Sequence, residues 1–305
     1  MTISLKGKSA IVTGAAVGIG TAFAEALARE GANVAVCDVR EEILASPASL
    51  KEINNDIEAV GWVADVSQPA EVRRVVDGAI EAFGGIDILV NNAGVGLLSV
   101  ADDPMDKTLA DYDAMVGTNL KGEFLMGRAV IEQLLKQGRG GDIVNVATDH
   151  MFTCGAPFNL CPGLPACRST FWAEAGDVPR PTGSVGTMDI YDASKWGLNG
   201  FLFAWAKALG PHNIRVNALC MGATDSWMCR NYFGFPQTPG EETEEQLQEV
   251  RTWMDKRDTA QVLIDLLKEG PSGRTAQNIN LCVGRPVKLE PPLPNLYVTD
   301  EGFHG

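Results

Sequence analysis

The 305-residue chain is predicted to be an α/β protein, one domain built on a doubly wound parallel sheet with helices on both faces. Three observations lead there. Short β-branched runs alternate with longer helical stretches along most of the chain, and one of those runs ends in a glycine-rich turn that opens directly into a helix. The hydrophobic content of 45% is enough for one large core at this length.

The elements follow in order. "SAIVTG" at 9–14 reads as a strand and "TAFAEALAREG" at 21–31 as a helix. "NVAVCDV" at 33–39 is the next strand, "AEVRRVVDGAIEAFGG" at 70–85 a helix and "IDILVNNAG" at 86–94 a strand with its turn. A long helix is predicted over about 106–137, then the strand "DIVNVA" at 142–147, a helix over about 190–210 and the strand "IRVNALC" at 214–220. "TAQVLIDLLKEG" at 259–270 and "NINLCV" at 278–283 supply a last helix and strand. Strand and helix in such alternation demand right-handed crossovers and hence parallel pairing. Residues 1–284 read as this one domain. Two segments break the rhythm, the Gly, Pro and Cys-rich stretch 151–188 and the proline-spaced tail 285–305.

Composition narrows the partners. With 25 basic against 39 acidic residues the formal charge is −14, and there is no dense Lys/Arg run, so neither nucleic acid nor an anionic membrane is an expected partner. The first apolar run is too short for a signal segment or a membrane span, which points to the cytoplasm. Seven cysteines without paired spacing are read as thiols.

The glycine turn carries the first chemistry. In "IVTGAAVGIGTAFAEALARE" the strand runs into Gly14, Gly18, Ile19 and Gly20 and then a helix, so backbone and helix N-terminus are both open to a pyrophosphate. Asp38 closes the next strand, 18 residues beyond Gly20, where a carboxylate takes both hydroxyls of an adenosine ribose and repels a 2′-phosphate. The expected cofactor is NAD, with Arg40 as the one contrary sign. Tyr191 and Lys195 stand four apart on a helix and share a face. An unperturbed phenol, with a pKa of about 10, is a poor base near neutral pH, and a nearby ammonium favours its phenolate.

These pieces, "TGAAVGIG" at 13–20, "DV" at 65–66, "NNAG" at 91–94, "TNLKG" at 118–122 and "YDASKWG" at 191–197, come in order, and the chain resembles the classical short-chain dehydrogenase/reductase family over about residues 5–284. The resemblance implies a Rossmann-type fold and a homotetramer or homodimer formed through the helices of Asn119 and Tyr191. It implies Tyr191 as general acid/base, Lys195 as the group that lowers the Tyr191 pKa and holds the nicotinamide ribose, and Asn119 as anchor of a water-linked proton path. It implies that Asp65 and Val66 flank the adenine, that Asn91 and Ala93 line the cofactor floor, and that Thr224 and Ser226 reach the carboxamide. Asn92 is read as mostly structural.

"DIVNVATDHMF" at 142–152 sets a hydroxyl, a carboxylate and an imidazole side by side. Alternation along a strand keeps Thr148, Asp149 and His150 from converging as a hydrolase triad. Where the family has a serine that binds the substrate oxygen, this chain has Thr148, which keeps the hydroxyl. Thr148 and Tyr191 are 43 positions apart, so a segment has been inserted beside the site. It carries Phe152, Phe158, Phe171, Trp172 and the cysteines 154, 161 and 167, whose spacing lacks the close pair of a zinc site, so no metal is expected. After "IRVNALC" the family's Pro-Gly becomes Met221-Gly222, and residues 226–256 form the expected substrate lid with Trp227, Met228, Tyr232, Phe233 and Phe235. His150, Phe152, Trp227 and Met228 are the candidate substrate contacts.

The resulting expectation is an NAD(H)-dependent enzyme that interconverts a bulky hydrophobic secondary alcohol and its ketone, of steroid, terpenoid, alicyclic or aromatic type. The alternative is a non-catalytic dinucleotide-binding scaffold or redox sensor. A nucleotide-sugar epimerase would call for a different glycine spacing and a larger C-terminal domain.

Overall fold

The structure is a computed structural model that describes residues 2–152, 188–238, 240–281, 283, 286–291 and two short pieces at 298–299 and 302–303. Seven parallel strands form its sheet: β1 (Ser9–Thr13), β2 (Asn33–Asp38), β3 (Ala59–Val63), β4 (Ile88–Asn91), β5 (Gly141–Thr148), β6 (Ile214–Met221) and β7 (Asn278–Leu281). Their order across the sheet is β3-β2-β1-β4-β5-β6-β7. The chain therefore winds outward one way through β2 and β3 and returns to continue the other way from β4. β1 pairs with both β2 and β4, and the crevice at its C-terminal end is where ligands bind in sheets of this kind.

The helices are α1 (Gly18–Arg29), α2 (Ser46–Ile53), α3 (Pro69–Phe83), α4 (Met105–Met115), α5 (Glu123–Gln137), α6 (Asp189–Trp196), α7 (Leu198–Leu209), α8 (Trp227–Tyr232), α9 (Glu244–Val250) and α10 (Lys256–Lys268). Strand alternation divides the core in two. Ala10, Val12, Val34, Val36, Ile88 and Val90 face one layer with Phe23 and Leu27 of α1 and Leu263 and Leu267 of α10. Ile11, Ala35, Cys37 and Leu89 face the other, with Val75 and Val76 of α3, Val130 and Leu134 of α5 and Leu202 of α7. Each large side chain so buried stabilises the fold by roughly 1.5–3 kcal/mol before the cost of ordering the chain.

Three elements differ from the sequence reading. The edge strand β3 was not foreseen, because "AVGWV" has a glycine at its centre and is only half-buried apart from Ala59. The long helix over 106–137 is interrupted by a π-helical segment, Val116–Gly122, with Asn119 at its centre. An extra residue per turn there realigns the two halves, a device found at functional sites. The helix over 190–210 is broken at Gly197, where a Cβ would come within 2.9 Å of Leu120 Cδ1 in the π-helical segment. Within the expected lid the chain forms the short helix α9, held at its start by a capping box of Thr243 and Gln246.

Beyond β7, Val287 and Leu289 of the tail pack against the α1/α10 face of the core. Val298–Thr299 and Gly302–Phe303 pair antiparallel as a short hairpin. The tail outside 286–291, 298–299 and 302–303, and all of 153–187, lie outside the described residues. No helix of the described residues is long and apolar enough to cross a membrane.

Candidate active site

The C-terminal edge of β1 shapes a cradle. Gly14 has φ +64°, a left-handed conformation, and a Cβ there would sit 2.7 Å from the Cα of Ala93. A Cβ on Gly20 would lie 2.2 Å from the Gly14 carbonyl oxygen, so only glycine lets α1 begin this close to the turn. Asn92 braces the turn by donating from Nδ2 to the carbonyls of Thr13 and Gly14, each at 2.9 Å. Thr13 Oγ1 accepts from the backbone N–H groups of Asn92 and Ala93. α1 starts without a side-chain cap and without an acidic residue in its first turn, which leaves its N–H groups and positive dipole end for an anion.

Asp38, at the end of β2, accepts from the backbone of Ala16 at 3.0 Å and of Arg40 at 3.1 Å. Its carboxylate thus stands at the glycine turn, where a ribose would lie. A glycine cradle that a Cβ would fill, an uncapped helix start and a carboxylate at the neighbouring strand end together fit a nicotinamide dinucleotide. Asp65 follows β3 and caps its own turn through Ser67. Val66 is buried against Gly122, where a Cβ would meet its Cγ2 at 2.6 Å.

Asn91 departs from the expected cofactor floor. Its side chain is 1% exposed and turns between α5 and β5, donating to the Glu123 carbonyl and to Asn145 Oδ1. Whatever it offers a cofactor comes from its main chain. Ala93, by contrast, faces Gly14.

Four of the predicted residues converge at the edges of β5 and α6. Thr148 is the last residue of β5 and is 4% exposed; its hydroxyl donates to Asp149 Oδ1 at 3.4 Å and favours ionisation of the half-buried Tyr191. Lys195 lies fully inside, donating to the Val146 carbonyl at 2.7 Å and to Glu123 Oε1 at 3.3 Å. Asn119 is fully buried; its Oδ1 accepts from Val95 N at 2.8 Å, and its Nδ2 donates to Val95 O and to Ser194 Oγ. A Cβ at Gly94 would lie 3.3 Å from Asn119 Oδ1 and 3.6 Å from Lys195 Nζ, so that glycine keeps the floor open.

The electrostatics of Tyr191 differ from expectation. Burial raises its pKa above the phenol's ordinary value, and the carboxylates of Asp192 and Asp149 and the Cys229 thiol raise it further, against the hydrogen bond with Thr148. The Lys195 ammonium is met by a carboxylate and a carbonyl.

The strand ends at Thr148, and Asp149–Phe152 make one tight helical turn. That turn carries His150 to α6, where Nδ1 lies 2.6 Å from Asp192 Oδ1 and the ring stands edge-on to Tyr191 with centroids 6.1 Å apart. Burial works against protonation of His150, but the hydrogen bond and charge of Asp192, with Asp149 behind, carry its pKa above the ordinary value. The side chain of Phe152 and the inserted aromatics and cysteines lie outside the described residues. Among the described residues no cluster of His, Cys, Asp and Glu is grouped as metal ligands.

The lid closes the other side. Thr224 Oγ1 donates to the Gly222 carbonyl, and Ser226 Oγ caps α8 by accepting from Cys229 N. Met228 lies near Tyr191, since a Cβ on Gly96 would meet its Sδ at 3.3 Å and the Tyr191 ring at 3.8 Å. Trp227 turns another way. Its ring lies under the Arg40 guanidinium, 4.0 Å from centroid to Cζ, and its backbone N would be 3.7 Å from a Cβ on Gly18. It lies beside the glycine turn and the end of β2, because α8 turns successive side chains away from one another. Phe233, Phe235 and Trp253 stack on one another with centroids 5.3–6.0 Å apart and serve the lid's own packing.

Glu123 is a buried side chain of the site, paired with Lys195, that sequence reasoning missed. The signal was there: an acid directly after Gly122, four residues past Asn119 and hence on the same helical face, at a position in line with the apolar stripe of α5.

Comparison with known proteins agrees with this geometry. Residues 8–156 match the family described as short chain dehydrogenase, and residues 181–284 match one described as Enoyl-(Acyl carrier protein) reductase. The chain is 32% identical over 284 residues to a short-chain dehydrogenase/reductase of Armillaria gallica, covering 90% of this chain and 95% of that one. It is 38% identical over 181 residues to D-threitol dehydrogenase of Mycolicibacterium smegmatis, 56% of this chain and 67% of that one. Among solved structures, a short chain dehydrogenase from Burkholderia cenocepacia in complex with NADP is similar with a TM-score of 0.67 and 29% identity, over 92% of this chain and 98% of that one.

The cradle makes a direct demand on sequence. Gly20→Ala is expected to lower stability by about 1–3 kcal/mol and to weaken NADH binding more than tenfold, as read by denaturant unfolding and by nucleotide fluorescence.

Proposed function

This chain belongs to the short-chain dehydrogenase/reductase family, and we propose that within it the protein is an NAD(H)-dependent oxidoreductase that interconverts a bulky hydrophobic secondary alcohol and its ketone. The observation that carries the reading is the meeting of Thr148, Tyr191, Lys195 and Asn119 beside the glycine cradle, at the point where the strand order reverses. Tyr191 takes the proton of the substrate hydroxyl on oxidation and returns it to the carbonyl oxygen on reduction. Thr148, whose hydroxyl stands at the end of β5 and favours ionisation of the phenol, holds that same oxygen. Asn119 fixes the backbone at Val95 and the helix at Ser194, and so sets the distance between the two sides of the site. A bound nicotinamide supplies the hydride acceptor or donor. Gly14, Gly18, Ile19, Gly20, Asp38, Asp65, Val66, Ala93, Thr224 and Ser226 are the residues that would hold it.

Asp38 at the end of β2 supports NAD over NADP, since its carboxylate would repel a 2′-phosphate. Arg40 is engaged by Trp227 in a cation–π contact. The apolar wall beside Tyr191, made by Met228, and the exposed Leu97 and Leu98 support a hydrophobic substrate. A second reading, a hydroxylated substrate such as a polyol, is favoured by the His150–Asp192 pair set against Tyr191 and by the likeness to a D-threitol dehydrogenase. On α4, α5, α6 and α7 the exposed Met105, Leu109, Tyr112, Phe124, Trp196 and Phe203 support assembly into a homodimer or homotetramer.

A panel of steroid, terpene, aromatic and polyol alcohols, each with NAD and NADP, reads substrate and cofactor together. The hydrophobic secondary alcohols are expected to reduce NAD, and Tyr191→Phe is expected to lower that rate by about 10²–10⁴-fold while leaving NADH binding intact. If no alcohol is oxidised by the unaltered protein while NADH still binds, the scaffold reading takes its place. Asp38→Asn is expected to improve NADPH binding relative to NADH, and tighter NADPH than NADH binding by the unaltered protein would overturn the assignment of Asp38. Light scattering is expected to give two or four times the monomer mass, and Phe203→Glu to return the monomer.

A further inference from the structure

Glu123 is the first residue of α5, one helical turn beyond Asn119, and its side chain is 2% exposed. A carboxylate at such depth is costly, of the order of several kcal/mol for an unaided ion, and the α5 face around it is otherwise apolar, with Met126 and Val130 continuing toward the core. Oε1 accepts from Lys195 at 3.3 Å, while Oε2 has no partner. Two neighbouring amides share this incompleteness: Asn91 Oδ1 and Asn145 Nδ2 are buried without partners, although Asn91 Nδ2 bonds both the Glu123 carbonyl and Asn145 Oδ1. The floor beneath Lys195 is therefore polar on three sides and only partly satisfied, which folding alone does not call for.

We propose that Glu123 is a positioning residue for proton transfer at Tyr191, its carboxylate holding Lys195 against the Val146 carbonyl and governing how much of the ammonium's charge reaches the phenol. The inference rests on the acid–base role of Tyr191 argued above. The geometry is direct. Lys195 has two partners, Glu123 from α5 and Val146 from β5, and it stands one helical turn from Tyr191 on α6. Among the described residues Lys195 is the charged group acting on Glu123; the nearby side chains of Asn91 on β4 and Asn145 on β5 are neutral. Tyr191 is faced by Asp192 and Ser194 of its own helix, by Thr148, Asp149 and His150 at the end of β5, and by Cys229 of α8.

Burial pushes Glu123 up to about 8, against the charge and hydrogen bond of Lys195. Below that pH Glu123 is neutral and the ammonium stands uncompensated, which favours phenolate at Tyr191. Above it the carboxylate cancels the ammonium and the phenol is left to burial and its acidic neighbours. Glu123 thus opposes ionisation of Tyr191 as pH rises.

The test uses Glu123→Gln, which keeps shape and hydrogen bonding but removes the charge, with Glu123→Asp as the variant that restores it. The phenolate absorbance of the full chain is titrated, with Tyr191→Phe subtracted to isolate one of four tyrosines. Glu123→Gln is expected to move the Tyr191 midpoint down by about one pH unit and the acidic limb of kcat/KM for alcohol oxidation in the same direction, with Glu123→Asp close to the unaltered protein. A midpoint that stays in place or moves up overturns the proposal, even if stability falls. Should Glu123→Gln not fold, infrared titration of the unaltered protein decides: a carboxylic acid band lost through about pH 8 is expected, and its absence overturns the proposal. Because absorbance and infrared readouts need no turnover, an enzyme reading that fails for want of any alcohol substrate is told apart from failure of this one.

Discussion

A buried ammonium must be met by oxygen, and the Lys195 side chain imposes that requirement on two separate elements of this fold. β5 answers with the Val146 carbonyl and α5 with Glu123. The π-helical segment between α4 and α5 follows from the same demand. By rotating Asn119 toward Val95 and Ser194 and Glu123 toward Lys195, it places two polar side chains of one helical face on opposite members of the site. Loss of any of these would leave a buried charge or amide unpaired, at about 1–3 kcal/mol or more.

The glycine cradle obeys the complementary rule, in which absence of side chains is the functional feature. Gly14 and Gly20 approach backbone so closely that Asn92 can tie the turn to β1 with a single amide. The lid then reaches this turn through Ser226 and Trp227, and the Arg40–Trp227 stack joins the end of β2 to α8 across the cleft. Successive residues of the lid thereby reach different places, Trp227 beside the glycine turn and Met228 beside Tyr191.

His150 illustrates how a local change of backbone alters chemistry. On a strand it would alternate away from Thr148; on the tight turn of Asp149–Phe152 it swings to Asp192 and stands against Tyr191. The site consequently has an apolar wall at Met228 and a charged one at His150 and Asp192, and a substrate that satisfies both carries a hydrophobic body and a polar group near the reacting carbon.

Sequence by itself determined six of the seven strands and the glycine cradle, because period-two alternation and glycine at a strand-to-helix turn are local regularities that hold wherever the chain goes, while Asn119, Thr148, Tyr191 and Lys195 were named from a resemblance carried by five motifs in order. β3 escaped, since its glycine and half-exposed side chains erase the alternation. Only the tertiary structure decided the rest. It turned the Asn91 amide into the core, carried Trp227 to the end of β2, brought His150 to Asp192 across 42 residues and set Glu123 under Lys195 across 72. Such pairs depend on which helices and strands meet, and a buried charge takes its meaning from the partner it meets there.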